Sequence, residues 1–352
     1  MDNIGLFDRS APLSSGETLE QSDGTAWIAK FCLNMLEIAP RLANHDLVYE
    51  DVAVKFFEHF ALIAVAMGEL WDERDAFFYD RIRRRDGTAS TVRARSMVGL
   101  MPVFAAVEVN ASLWERLPMF RDRARWYIDH KPEVRAFLHN LDGKRPGLIS
   151  LVDERRLRRV LTRMLDEAEF LSPFGLRSLS RDHREHPLDL DLDGRISQLD
   201  YEPGESRTGL FGGNSNWRGP IWFPLNFLAI ESLRHLHDCF GGTFTVELPT
   251  GSGALANLEQ VAEELERRPL RLFLLDANGR RPVGGTNPRF QHDPAWRDSI
   301  LFYEYFNGDT GEGLGTSHQT RWTALTAALS ASRRSRPHCE AMKPNARKAN
   351  LT

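Results

Sequence analysis

The segment from 212 to 222 carries chemistry suited to binding a polar ligand. It reads Gly-Gly-Asn-Ser-Asn-Trp-Arg-Gly-Pro-Ile-Trp, so it brings amides, a guanidinium and two indoles together. Amides and guanidinium groups bind hydroxyls, and indole faces stack on the C–H surface of a sugar ring. The candidate binding residues are Asn216, Trp217, Arg218 and Trp222. A second interpretation is a Gly-rich turn whose tryptophans belong to the core, because tryptophan is usually largely buried.

Glu304 lies in another loop rich in aromatic residues and glycine, which runs from 303 to 315. A carboxylate in such surroundings can serve as a general base, with its pKa adjusted by the neighbouring rings. The competing interpretation is a capping or solvated glutamate. Asp309 and Glu312 belong to the same loop and can equally well order the turn.

Asp23 is a candidate for a second catalytic carboxyl group, which cleavage of a glycosidic bond requires. It comes immediately before the first clear helical pattern, so it also has a structural role available as an N-cap or first-turn acid. Glu304 lies near the other end of the chain, and the sequence alone does not show that the two residues meet.

Trp71 and Asp72 open a third stretch, from 71 to 80, that mixes aromatic and acidic residues after a predicted helix end. Such a stretch can form a rim that binds hydroxyl groups. It can also be an ordinary connection between a helix and a hairpin, and both interpretations stay open.

The stretch from 189 to 200 matches a calcium-binding EF-hand loop at positions 1, 3, 5 and 6. Position 12 is Asp200 where a glutamate is usual, and Pro187 is poorly placed for an entering helix. The Pro-Gly pair at 203–204 would break an exiting one. The sequence therefore favours a β-hairpin with an acidic edge, and a calcium-binding helical protein remains a further hypothesis.

The composition excludes a disordered or fibrous protein, and the charge and cysteine spacing argue against nucleic-acid and zinc binding. The 352 residues are 27% charged and 42% hydrophobic, which is typical of a globular chain. The net charge is −4 and the longest basic cluster, 81–85, is short, so a nucleic-acid partner is not expected. Cys32, Cys239 and Cys339 have no disulfide or zinc spacing, and the chain lacks the common nucleotide-binding and zinc-protease motifs. We expect no metal and no cofactor.

The most apolar window, 60–70, is too short to cross a bilayer, which takes about 20 residues. The first residues lack the basic and apolar regions of a signal peptide. No membrane partner is therefore expected, and the predicted location is the cytoplasm.

Helical periodicity predicts a mainly α fold in which helical hairpins surround a centre. In the first helix Trp27, Phe31, Met35, Ile38 and Leu42 form one apolar face. Asx-Gly pairs at 86–87 and 193–194 predict β-hairpins over 77–90 and 188–201. The predicted helices are 27–42, 51–70, 121–128, 153–165, 222–240, 255–274 and 317–332.

The basic stretch 333–352 has few large apolar residues and is predicted to be a disordered tail. The preceding residues, 1–332, would then form one domain.

Several motifs together resemble glycoside hydrolase family 63, over roughly residues 1 to 330. The resemblance is to its bacterial glucosidase-type members, which are related to mannosylglycerate hydrolase and to the processing α-glucosidases that trim N-glycans. The motifs are Phe-Asp-Arg-Ser-Ala-Pro-Leu at 7–13, Ser-Asp-Gly-Thr-Ala-Trp at 22–27, Leu-Trp-Asp at 70–72, the segment 213–222, Glu-Tyr-Phe at 304–306 and Ser-His-Gln-Thr at 317–320.

The resemblance implies a six-hairpin α/α toroid that hydrolyses an α-glycosidic bond with inversion and without a cofactor. Asp23 matches the family's general acid, with Asp8 as the fallback, and Glu304 matches its general base. The sugar pocket would be lined by Trp71, Asp72, Asn216, Trp217, Arg218 and Trp222. The expected substrate is a carbohydrate with a terminal α-glucosyl or α-mannosyl residue.

Two features depart from the family pattern. Arg321 stands where the family usually has glycine. The toroid has twelve helices, whereas about seven to nine are predicted here, so the chain resembles the C-terminal part of a longer catalytic domain. Apolar helix faces would then be bare unless the N-terminal part of the toroid or self-association covers them. A catalytically silent carbohydrate-binding or scaffold fragment is the alternative to an active enzyme.

Overall fold

The computed structural model describes residues 16–109, 116–140, 147–192, 195–209, 211 and 216–335. These residues form a mainly helical fold with small antiparallel sheets, as the periodicity predicted. The α-helices are α1 (Ser22–Ala43), α2 (Val48–Gly68), α3 (Pro118–His130), α4 (Pro132–Arg135), α5 (Glu154–Met164), α6 (Phe223–Phe240), α7 (Leu258–Leu270), α8 (Pro288–His292), α9 (Thr320–Thr323) and α10 (Leu325–Ser335). Short 3-10 helices span Met97–Phe104, Arg181–Arg184 and Pro282–Gly284.

The strands are short, and every named pairing between them is antiparallel. β6 pairs with β8, which also pairs with β7, and β4 joins β1 to β5. Five further pairs are two-stranded: β2 with β3, β9 with β10, β11 with β12, β13 with β14, and β15 with β16. The strands are β1 (Thr18–Glu20), β2 (Trp71–Asp72), β3 (Phe77–Phe78), β4 (Asp80–Arg83), β5 (Ala89–Val92), β6 (Ala106–Val109), β7 (Leu138–His139), β8 (Gly147–Ser150), β9 (Leu171–Ser172), β10 (Gly175–Leu176), β11 (Leu188–Leu192), β12 (Arg195–Leu199), β13 (Thr245–Glu247), β14 (Leu255–Asn257), β15 (Tyr305–Phe306) and β16 (Gly313–Leu314).

Two predicted helices end or begin elsewhere than the periodicity suggested. The predicted helix 255–274 starts as strand β14, and α7 begins only after Asn257. The Asn257 side chain accepts a hydrogen bond from the Gln260 backbone N–H, and the Gln260 side chain accepts one from the Asn257 backbone N–H. This capping box sets the helix start. The last helix, α10, ends at Ser335, and residues 336–352 of the predicted tail lie outside the described residues.

The apolar face predicted for α1 is not the face that the helix buries. Phe31 and Ile38 are 53% and 45% exposed, whereas Ala29 and Leu33 are fully buried. α1 packs along α2, whose buried positions include Ala53. α1 also contacts the 3-10 helix Met97–Phe104 and β6, so the stripe that these neighbours cover is the one that is buried. The periodicity was correct, but it did not show which of two apolar stripes faces the core.

Both predicted hairpins are confirmed. β4 and β5 pair around Asp86, whose carboxylate accepts bonds from the amide and hydroxyl of Thr88. β11 and β12 pair over 188–199, and Gln198 donates to the Asp189 carboxylate at 2.9 Å. The stretch that matched a calcium loop is therefore part of two paired strands, and among the described residues only the short 3-10 helix Arg181–Arg184 comes before it in place of an entering α-helix. Its turn, 193–194, lies outside the described residues.

Isolated backbone bridges join four extended segments side by side. Ser96 bridges to Leu179, Arg177 bridges to Ile221, and Ile221 bridges to Phe306. The Ile221 and Phe306 backbones exchange two hydrogen bonds, of 2.8 and 3.0 Å. Both of these side chains are fully buried. This backbone ladder holds the segment that follows 216 against the loop that follows Glu304.

In the part of the chain that the structure describes, no helix has both the length and the apolar character needed to cross a membrane.

Candidate active site

An aromatic stack formed by Trp217, Trp222 and Tyr305 is the centre of the site. Trp217 and Trp222 are parallel, with their ring centroids 4.0 Å apart and an interplanar angle of 2°. Trp222 also stacks with Tyr305 at 4.8 Å. Trp222 is 1% exposed and Trp217 is 7% exposed, so the protein covers almost all of both rings. The stack is thus buried, and it supports the polar residues that lie next to it in the sequence.

Asn216 and Arg218 use their polar groups within the protein. The Asn216 amide donates to the carbonyls of Glu202 and Gly204 at 2.7 and 2.6 Å, and its oxygen accepts from the Arg218 backbone. The Arg218 guanidinium forms an ion pair with Glu202, and both residues are buried. These contacts tie the turn at 202–204 to the aromatic stack, because Trp222 donates its indole N–H to the Asn216 carbonyl.

Two carboxylates meet the loop that follows β16. Glu304 accepts a hydrogen bond from the Thr316 amide through Oε2 at 3.3 Å. Glu205 accepts one from the neighbouring Gly315 amide at 3.2 Å and another from the Tyr305 hydroxyl at 2.6 Å. Successive amides of one loop therefore hold two carboxylates from distant parts of the sequence.

Gly315 is the residue that lets the Glu304 side chain lie against this loop. Its φ is +67°, a conformation that side chains with a Cβ rarely adopt. A Cβ built there would lie 2.7 Å from Tyr305 Cε1 and 2.9 Å from Glu304 Oε2. Both the backbone conformation and the available space therefore require glycine.

Tyr305 donates a hydrogen bond from its hydroxyl group to Glu205 at 2.6 Å. Burial raises the pKa of its hydroxyl well above the usual value, and the hydrogen bond to Glu205 raises the pKa further. The proton accordingly stays on the phenol, and the carboxylate is the acceptor.

Asp23 lies in the first turn of α1, after the N-cap residue Gln21, and is 1% exposed. Its Oδ1 accepts from the Gly24 amide at 2.6 Å. The neighbouring Ser22 amide donates to the buried Asp80 at 2.6 Å, so two carboxylates lie at this positive helix end. Asp8, the fallback for the acid, lies outside the described residues.

Trp71 and Asp72 contact a different group of residues. The Trp71 ring lies 4.9 Å from that of Phe78, and the guanidinium of Arg156 is over it at 5.4 Å. Asp72 pairs with Arg93 at 2.8 Å. Burial alone would raise the pKa of Asp72, but the Asp75 amide and Arg93 outweigh that effect and lower it. Asp72 is thus held as an anion by protein groups.

Asp309 has the structural role that the sequence left open for it. Arg184 contacts its carboxylate at 2.5 Å, and the Tyr201 hydroxyl donates to it at 2.9 Å. Burial opposes ionisation, but Arg184, Tyr201 and Arg177 outweigh it and lower the pKa of Asp309. Within the described residues, no group of three or more His, Cys, Asp or Glu side chains is placed to hold a metal ion.

Glu205 and Tyr305 were not predicted from the sequence as site residues. Glu205 follows the pair Pro203 and Gly204, and a proline before a glycine predicts a turn. That turn lies just before the segment 212–222, so it could have been noted as a neighbour of the site. Its contact with Tyr305 depends on the backbone ladder, which joins segments far apart in the sequence.

Comparison with known proteins gives concordant results. The family model of the mannosylglycerate hydrolase MGH1-like glycoside hydrolase domain matches residues 109–323. The uncharacterized protein YMR196W of Saccharomyces cerevisiae is 46% identical over 351 residues, which cover 93% of this chain and 32% of that protein. The mannosyl-oligosaccharide glucosidase of the same yeast is 26% identical over 211 residues, covering 59% of this chain and 18% of the enzyme.

Among solved structures, the GH63 mannosylglycerate hydrolase from Thermus thermophilus in complex with glucose matches with a TM-score of 0.44 at 15% identity. The match covers 90% of this chain and 46% of that one. The chain spans only about a third of the length of the yeast protein YMR196W and about a fifth of the length of the yeast glucosidase. Because the family model matches more than half of the chain, the protein belongs to the MGH1-like glycoside hydrolases, which confirms the resemblance to glycoside hydrolase family 63 seen in its motifs.

Proposed function

We propose that the chain carries the catalytic residues of an inverting glycoside hydrolase that cleaves a terminal α-glucosyl or α-mannosyl bond. The observation that carries this proposal is the position of Glu304. It is half-buried at the edge of the aromatic stack and hydrogen-bonded to an exposed Gly-rich loop, in a chain of a glycoside hydrolase family. A partly exposed carboxylate there can contact a water molecule.

In the proposed mechanism Glu304 is the general base and Asp23 is the general acid. Asp23 protonates the glycosidic oxygen as the bond to the anomeric carbon breaks. Glu304 takes a proton from the water that attacks that carbon from the opposite face, so the configuration inverts. This scheme requires carboxyl groups about 6.5–9.5 Å apart, which leaves room for the water.

The predicted sugar-binding residues divide into two groups in this proposal. Trp71 and Asp72 line the pocket, whereas Trp217, which is 7% exposed and stacked on Trp222, supports it and does not line it, in contrast to the prediction from the sequence. Asn216 and Arg218 support it from behind, because their polar groups already bond to the turn at 202–204. Trp222 is fully enclosed by other rings and belongs with the supporting residues.

The anomer released first tests the proposed function. The purified chain would be incubated with a panel of α-glucosides and α-mannosides and followed by proton NMR. We expect the β-anomer to appear before mutarotation sets in. Release of the α-anomer would overturn inversion, and a folded protein that binds sugar without cleaving any glycoside would favour the second candidate function.

That second candidate is a catalytically silent carbohydrate-binding or scaffold fragment. Two observations favour it: Asp23 is almost completely buried, and the chain covers only 32% of the 46% identical yeast relative. An acid that a substrate cannot reach would leave binding but no turnover.

We further propose that the chain forms part of an α/α toroid and that the remaining hairpins of that toroid cover the bare faces of α1 and α2. The exposed residues of α1 include Ile28, Phe31, Ile38 and Leu42, and α2 exposes Leu62. The additional chain present in YMR196W is long enough to supply the covering helices.

Without such a cover, we expect the chain to associate in solution through this face. Sedimentation should give a mass that rises with concentration above the 40.1 kDa of one chain. Replacing Phe31 and Ile38 by Glu should restore a monomer, whereas Ile196→Glu, on an exposed hairpin residue, should not. A wild-type chain that remains a monomer at every concentration would contradict the proposal.

A further inference from the structure

Glu205 makes two hydrogen bonds that meet at the Glu304 loop. One oxygen accepts from the Tyr305 hydroxyl and the other from the Gly315 amide. Tyr305 is in β15 and Gly315 directly follows β16, so a single carboxylate connects the two strands at their open end. Glu304 immediately precedes β15 and bonds to the amide that follows Gly315.

The groups in this arrangement face solvent over a buried support. Glu205, Gly315 and Thr316 are exposed and Glu304 is half-buried, while Tyr305 beneath them is 2% exposed. The turn that carries Glu205 is itself anchored, because the Asn216 amide holds the carbonyls of Glu202 and Gly204 on either side of Pro203. The exposed Glu205 carboxylate is therefore carried by an anchored turn.

We propose that Glu205 is a positioning residue for Glu304. It fixes Tyr305 and the Gly315 amide, and thereby places the Thr316 amide where it orients the Glu304 carboxylate. This inference rests on the proposed role of Glu304 as the base. Orientation matters in such a site because a misplacement of about 1 Å can cost roughly a hundredfold in rate.

The first test does not depend on activity. The 352-residue chain labelled with ²H, ¹³C and ¹⁵N would report the amides of Gly315 and Thr316, assigned from triple-resonance spectra. Glu205→Gln leaves one acceptor oxygen where the carboxylate used two, so the side chain cannot accept from both Tyr305 and Gly315, and we expect both resonances to move. Tyr305→Phe removes the second partner of Glu205 and should also shift the Gly315 resonance. Glu263→Gln, on an exposed residue of α7, should leave both unchanged.

The second test separates positioning from general stability. On a glycoside that the wild type cleaves, Glu205→Gln should lower kcat by about tenfold or more while KM changes little, and Glu205→Asp should recover part of the loss. An unmoved Gly315 or Thr316 resonance in Glu205→Gln would overturn the proposal, as would kinetics equal to those of Glu263→Gln. If the wild type cleaves no glycoside, the proposed function fails, and the amide resonances still decide whether Glu205 orders the loop.

Discussion

Replacing Glu304 by Gln is expected to reduce glycoside turnover by about 10²–10⁴-fold, the range typical for a positioned acid or base. The amide cannot take a proton from the attacking water. It has nearly the same shape, however, and its oxygen can still accept the bond from Thr316. Sugar binding should therefore persist. Initial rates measured by NMR and affinity measured by calorimetry on one glycoside would check both halves of this expectation.

Two further variants make this experiment specific. Glu263→Gln removes the charge of an exposed glutamate on α7 and should leave turnover unchanged. Asp23→Asn should be far less damaging on a glycoside with an activated aryl leaving group, because such a group departs without protonation, whereas Glu304→Gln should be equally damaging on both. Loss of binding in parallel with loss of turnover would count against the assignment of Glu304 as the base.

The largest effect on stability is expected for Arg218→Met. Arg218 is 1% exposed and pairs with Glu202, which is 5% exposed. Removing one partner of a buried ion pair leaves the other charge poorly compensated, which costs about 3–5 kcal/mol. Arg207 also contacts Glu202, so we expect a value near the lower end, about 3 kcal/mol. Urea unfolding followed by far-UV circular dichroism would measure it.

A double variant identifies the cause of this loss. Arg218→Met combined with Glu202→Gln removes the stranded charge as well, so the double variant should be more stable than Arg218→Met alone. If the two single losses simply add, the ion pair is not the source of the effect. The neighbouring Arg207→Met, on a largely exposed side chain, should cost much less.

The sequence predicted the helices and the two hairpins because these depend on local patterns. A period of 3.6 residues defines a helix wherever its apolar stripe is buried, and an Asx-Gly pair supplies the positive φ of a tight turn. α6 and the hairpin over 188–199 lie where these patterns predicted them. The family was also accessible from the sequence, since its motifs are contiguous runs of residues.

The roles of Asn216 and Arg218 were less accessible. Their side chains can bind a sugar hydroxyl or, equally well, a buried backbone carbonyl or carboxylate of the protein. Only the position of the turn at 202–204 decides that these groups bond to protein. The same limit applies to α1, where two apolar stripes were available and the elements packed around the helix determined which was buried.

The sequence by itself determined most of the helices, the two hairpins and the family, because each of these is encoded in neighbouring residues. The tertiary structure alone decided that Glu205 and Tyr305 accompany Glu304, and that Trp222 is a support within the core. These contacts join segments about a hundred residues apart through the bridges of Ile221. The packing of the whole chain determines which residues form these contacts, and no local pattern in the sequence predicts that packing.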